Sequence, residues 1–79
     1  MKATQTALNI ALNPAGYRVE SFRRNLGAGG SELVYNLIGD FQGRERTHYT
    51  TTDIAAIAAY SSVYLNIETG CDYSSVERI

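Results

Sequence analysis

The sequence predicts an α+β fold, a small antiparallel β-sheet of four to five strands with one α-helix packed on one face. Three observations lead there. Apolar and polar residues alternate with a period of two in several short runs, turn-forming residues separate those runs, and one Ala-rich stretch repeats its apolar positions at three-to-four spacing. The chain has 79 residues, one domain's worth, and a domain so short buries only about 60% of the surface its unfolded form exposes. Most apolar side chains must therefore enter one core, with little left to wall a deep catalytic cavity.

The first strand is expected at Leu8, Ile10 and Leu12, which alternate with Asn9, Ala11 and Asn13; a frayed helix is the rival reading. Asn13, Pro14, Ala15 and Gly16 supply the side-chain cap, the fixed φ and the tolerance of positive φ that a chain reversal needs. A second strand follows, with Tyr17, Val19 and Ser21 alternating against Arg18, Glu20 and Phe22 before the run fades into Arg23, Arg24 and Asn25. Together these predict a hairpin over residues 7–24. Gly27, Ala28, Gly29, Gly30 and Ser31 read as a flexible loop, because glycine loses the most backbone entropy on ordering.

Residues 32–41 admit two readings. Leu33, Val34, Leu37, Ile38 and Phe41 suit one face of a helix capped by Ser31, whereas four of the eight residues that alternate here are β-branched or aromatic, as a strand prefers. Gly39 interrupts the helix, and Gln42, Gly43 and Arg44 form a hairpin turn into the threonine-rich stretch 44–51, which needs a neighbouring strand. The strand is therefore preferred. A helix then starts at Thr52 or Asp53, with Ile54, Ile57, Ala58, Ser61 and Leu65 on one stripe and alanines keeping it slim. Val63, Leu65 and Ile67 alternate with Tyr64, Asn66 and Glu68, so a last strand is expected to end at Thr69 and Gly70. Residues 71–79 are read as a short helix after Ser74 or a loosely held tail.

Composition excludes several function classes. Seven basic and eight acidic residues give a formal charge of -1, far from the basic balance of a dedicated nucleic-acid binder. One cysteine, Cys71, cannot form an intramolecular disulfide, so the disulfide-scaffold class is excluded and a reducing, cytoplasmic setting is expected. The start of the chain lacks the basic and apolar regions of a signal peptide, and the longest apolar run, Ile54 to Tyr60, falls far short of a membrane span. No membrane partner is expected.

No chemistry-bearing motif emerges. Gly27, Gly29 and Gly30 resemble a phosphate-cradling loop only superficially, since Glu32 stands where a dinucleotide fingerprint needs glycine and Lys2 is the only lysine. Cys71 and His48 could in principle form a nucleophile and base, yet nothing in the sequence places them together, and His48 is expected to face solvent with Arg44, Arg46 and Thr50. The inventory cannot assemble a tetrahedral zinc site, and the carboxylates are scattered without a calcium-loop pattern. No catalytic residue, cofactor or metal ligand is assigned, and the chain is read as a non-enzyme.

Arginine and tyrosine carry what remains. Arg18, Arg23 and Arg24 on one strand and Arg44, Arg46 and His48 on another would form a basic face if the sheet juxtaposed them, with Glu20 and Glu45 in the same segments standing against it. Guanidinium groups suit bidentate contact with carboxylate or phosphate. Tyr49, Tyr64 and Tyr73 share alternation faces with polar neighbours and are expected as exposed anchors of the kind enriched with arginine at interface hot spots. The open sheet face, an edge strand and residues 26–31 are where a partner would dock.

In size, near-neutral to acidic charge, lack of catalytic residues and the plan of a meander plus one Ala-rich helix, the chain resembles the small accessory proteins of phages and mobile elements, among them the anti-CRISPR inhibitors. That resemblance implies stoichiometric inhibition of a larger protein or ribonucleoprotein defence complex by covering a working surface. It carries no functional residue across. The alternative from the residues is a small nucleic-acid-binding regulator using the arginine face, and a homodimer through the open edge is compatible with both.

Overall fold

The computed structural model describes residues 1–73. The order of elements is α1 (Gln5–Leu12), a 3₁₀ turn (Asn13–Ala15), β1 (Tyr17–Gly27), β2 (Gly30–Phe41), β3 (Arg44–Thr51) and α2 (Ile54–Tyr64). The strands form one antiparallel sheet in the order β1-β2-β3. The class is α+β, with a three-stranded sheet and two helices among the described residues in place of four to five strands and one.

The expected first strand is a helix. Thr4 caps it, its hydroxyl accepting from the Ala7 amide at 3.1 Å, which satisfies one of the N–H groups a helix start leaves bare. Leu8 and Leu12, one turn apart, are fully buried, whereas Ile10 between them is 72% exposed. A strand would have put all three on one face. The turn that follows is the predicted one, with Pro14 at its start and Gly16 in the left-handed region at φ 89°.

β1 and β2 form a long hairpin. The glycine-rich stretch is its tight end and no floppy loop, since β1 runs to Gly27 and β2 starts at Gly30. Gly27, Ala28 and Gly29 all adopt positive φ, the geometry that lets a short turn follow the right-handed twist of the strands. Residues 32–41 are strand, as preferred, and β3 pairs with them across a turn at Gln42 and Gly43, again with positive φ at both.

Asp53 starts α2, its carboxylate accepting from the Ala55 amide at 3.0 Å. The expected last strand is absent. α2 continues to Tyr64, and Leu65 to Tyr73 follow as irregular chain. Leu65 and Ile67 still pack against the core and Cys71 lies within it, so the alternation reflects a single-sided contact without a strand partner. The Asp72 amide donates to the Met1 carbonyl at 2.7 Å, which ties this segment to the start of the chain. The expected helix after Ser74 lies outside the described residues.

Val19, Leu37 and Tyr49 are paired across the three strands and so share one face. Against it pack Leu8 and Leu12 of α1 and Ala56, Ile57, Ala58 and Tyr60 of α2, forming the core cluster. Tyr49 is therefore a core residue, 2% exposed, and is corrected as an expected surface anchor. Its ring stacks on Tyr60 at 4.5 Å between centroids and 13° between planes, close to the offset arrangement aromatic pairs prefer.

Candidate partner-binding surface

A one-residue irregularity decides where the arginines of β3 stand. Leu37 pairs with Tyr49, but its neighbour Ile38 pairs with Thr47, leaving His48 as an extra residue in β3. Such a bulge shifts the side-chain alternation on either side of it. Arg46 opposes Gly39 and Arg44 opposes Phe41, on the face that also carries Leu37 and Tyr49. Glu45 and Thr47 turn to the other face. The expected grouping of His48 with Arg44, Arg46 and Thr50 on one solvent face is thereby corrected: Thr50 lies beyond the bulge and hydrogen-bonds Asn36 at 2.7 Å.

His48 is half-buried rather than solvent-facing, and its Nε2 is enclosed without a hydrogen-bond partner among the described residues. Its ring stands edge-on to Tyr17, 5.4 Å between centroids at 71°. Both rings meet over Gly39, where a Cβ would come within 2.3 Å of the Tyr17 ring and 3.2 Å of His48 Nε2. Glycine is required there because the aromatic ring takes the space of a side chain.

The sheet does not assemble the arginines into one basic face. Arg18 and Arg24 belong to the face with Glu20, Phe22 and Glu45, and each is neutralised. Arg18 donates to both oxygens of Glu45 at 2.6 and 3.1 Å and, through Nε, to Glu20 at 2.5 Å. Those contacts hold the Arg18 guanidinium protonated still more firmly. In return the hydrogen bonds and charge of Arg18 lower the Glu45 carboxyl below its ordinary value. Arg24 pairs with Glu32 directly across the hairpin.

Arg23 faces the other way, opposite Leu33 towards the β1-β2 turn, while Arg44 and Arg46 lie at the opposite end of β2. Among the described residues these three arginines make no ion pair. Arg46 sits over the Phe41 ring, its guanidinium carbon 5.3 Å from the centroid, within reach of a cation-π contact. Phe41, Gln42, Arg44, Glu45 and Arg46 line a cleft of about 490 Å³. Glu45 contributes little free negative charge to it, since both of its oxygens are taken up by Arg18.

Tyr64 and Tyr73 are exposed, 64% and 56% respectively. Tyr64 leans on Tyr60 at 4.8 Å between centroids, so a row of rings runs from Tyr49 in the core to Tyr64 at the surface. The sequence reading missed two surface residues. Phe22 is 45% exposed on β1, in alternation with Arg18, Glu20 and Arg24, and an aromatic residue in an otherwise charged register was the available signal. Phe41 is also exposed, where the strand meets its turn.

Among the described residues no group of three or more His, Cys, Asp and Glu is placed to hold a metal ion, and no helix is long and apolar enough to cross a membrane. Cys71 is buried, its thiol directed to the Thr69 carbonyl at 3.8 Å. Compared with protein-family models, curated proteins and solved structures, the chain matches none.

Proposed function

We propose that the chain is a non-enzymatic protein-binding module that blocks a larger protein or ribonucleoprotein complex by occupying one of its surfaces, as the small phage inhibitors do. One observation carries the reading. Arg44 and Arg46 stand beside the exposed Phe41 without an acidic partner among the described residues, while Arg18 and Arg24 are neutralised within the sheet. Uncompensated arginines next to an aromatic ring are the residue types that dominate protein interfaces. The partner this surface suits presents a carboxylate-rich segment with an apolar side chain for Phe41.

Nucleic acid is the second candidate partner, and the division of the arginines between two faces and two ends of the sheet weighs against it. A phosphate backbone needs several cations along one track. The experiment is affinity capture from host cells with the wild type and with the double variant Arg44→Ala, Arg46→Ala, followed by a salt titration on single-stranded and duplex DNA. The expected result is a protein retained by the wild type and lost from the variant, with no DNA binding at about 50 mM salt. Retention of DNA that weakens steeply with salt would replace this reading by the nucleic-acid one. Equal capture by both forms would remove the arginine site.

A further inference from the structure

The outer edge of β1 is closed at one point and open beyond it. The Val19 amide donates to Asn9 Oδ1 at 2.7 Å, and the Val19 carbonyl accepts from Gln5 Nε2 at 3.0 Å and Asn9 Nδ2 at 3.4 Å. Side-chain amides of α1 thus take the place of a neighbouring strand at that residue. Because main-chain groups alternate in direction along a strand, Ser21, Arg23 and Asn25 also direct their N–H and C=O outwards. No hydrogen bond closes the edge at these residues among those described, and residues 20–27 are exposed. An edge of this kind is a template for another strand.

We propose that the occupant is a second copy of this chain, its β1 lying antiparallel to the first with Phe22 opposite Phe22 across a two-fold axis. This rests on a surface other than the Arg44 and Arg46 cleft and does not depend on the reading above. The register follows from the charges. With Phe22 on the axis, Glu20 of each copy meets Arg24 of the other, and Ser21 pairs with Arg23 through the outward main-chain groups of both.

On that face Phe22 already opposes Val34 within its own hairpin, so an apolar row would cross the join with opposite charges on either side. Such cross-strand pairs are favourable, whereas like charges directly opposite are not. Moving the axis to Arg23 or Arg24 sets that arginine against its own copy. Moving it to Ser21 sets Arg18 against Arg24. Only the Phe22-centred register among these four is free of opposed like charges. Its contact is short, so the dimer belongs to the weak, reversible class.

The test is sedimentation and light scattering over about 1 µM to 1 mM protein, with amide exchange followed by NMR. The wild type is expected to pass from monomer to dimer, and the Ser21 and Arg23 amides to gain protection with concentration while Asn25 remains fast. Arg23→Pro removes an N–H that its own hairpin does not use and should hold the chain monomeric; circular dichroism checks its fold. Two further variants make the register decisive. E20K alone and R24E alone each oppose like charges and should be monomeric, and mixing them should restore a heterodimer. A wild type that stays monomeric throughout, dimers that survive Arg23→Pro, or an E20K and R24E mixture that does not associate would each overturn the proposal. So would protection of Ser21 and Arg23 appearing only when an added foreign strand binds.

Discussion

Gly39 is fixed by what lies across from it. Gly39→Ala would drive a methyl group into the Tyr17 ring and against His48, and overpacking of this sort costs about 1–3 kcal/mol. Urea unfolding should show that loss, and a smaller one when the same change is made in a Tyr17→Ala background, because residues in contact do not add. In the sequence Gly39 reads as an interruption of a helix, and that reading chose the correct element for an incomplete reason. The ring above it comes from β1, more than twenty positions earlier, and no local pattern carries such a contact.

Glu45 offers a second test at this scale. Its carboxyl is lowered in the folded chain by the hydrogen bonds and charge of Arg18. A depressed folded value means that the contribution is fully present above the unfolded glutamate value of about 4.3 and disappears as pH falls through the folded one. Glu45→Gln should therefore melt below the wild type near neutral pH, and the two melting temperatures should converge in acid. Both partners are well exposed, so the gap should be small and should shrink in salt.

Asn9 matters more to the sheet than to its own helix. It satisfies the Val19 N–H and shares its carbonyl with Gln5, which both docks α1 and closes the start of the β1 edge. Asn9→Ala leaves a part-buried donor unpaired, at a cost of about 1–3 kcal/mol. Thr4→Ala, which only uncaps the helix, should cost about 1 kcal/mol. Chemical denaturation of the two variants would rank them, and Asn9→Ala alone should also speed exchange of the Val19 amide.

The elements that rest on turns were the most legible ones. Pro14 with Gly16 and the Gln42-Gly43 pair punctuate the chain where the sequence places them, because their backbone preferences are local. α1 was misread since a run of Leu, Ile and Leu at alternate positions satisfies a strand pattern on paper, and only the exposure of Ile10 separates the two. The cap at Thr4 and the four-residue spacing of Leu8 and Leu12 were the overlooked signals. Leu65 and Ile67 misled in the same way: alternation reports a contact on one side and does not supply a neighbouring strand.

Across the whole molecule the core is gathered under one half of the sheet. Val19, Leu37, Tyr49 and the two helices build it, whereas the hairpin beyond Phe22 and the buried Val34 opposite it has only its own pairing and the Arg24 to Glu32 bridge. Regions with few buried apolar contacts open at lower free energy than the global transition. In dilute solution the ladder amides of the arm, such as Arg24, should exchange through partial opening. Those near Leu37 and Tyr49 should wait for complete unfolding, and denaturant-dependent exchange would separate the two classes.

The candidate surface was the least legible part, and the cause is a single residue. The sequence names Arg44 and Arg46 but places them by simple alternation, which the extra His48 reverses. Tyr49 was lost as an anchor because its polar neighbours hid the aromatic partner it finds in Tyr60. Glu20 and Glu45 count against a basic face already in the sequence, but that Glu45 reaches across to Arg18 and Glu32 to Arg24 is decided by strand pairing.

β3 is thus written in two frames, with His48 as the point where one passes into the other. Deleting that residue would leave Thr47 opposite Ile38 and Tyr49 opposite Leu37 in one unbroken ladder, so Arg44 and Arg46 would keep their side of the sheet and Glu45 would keep Arg18. A deletion of one codon would then regularise the strand without exchanging which side of the molecule is cationic, and would remove the ring that meets Tyr17 over Gly39. Persistence of the Glu45-dependent melting difference in the His48-deleted chain would register that the faces are unchanged.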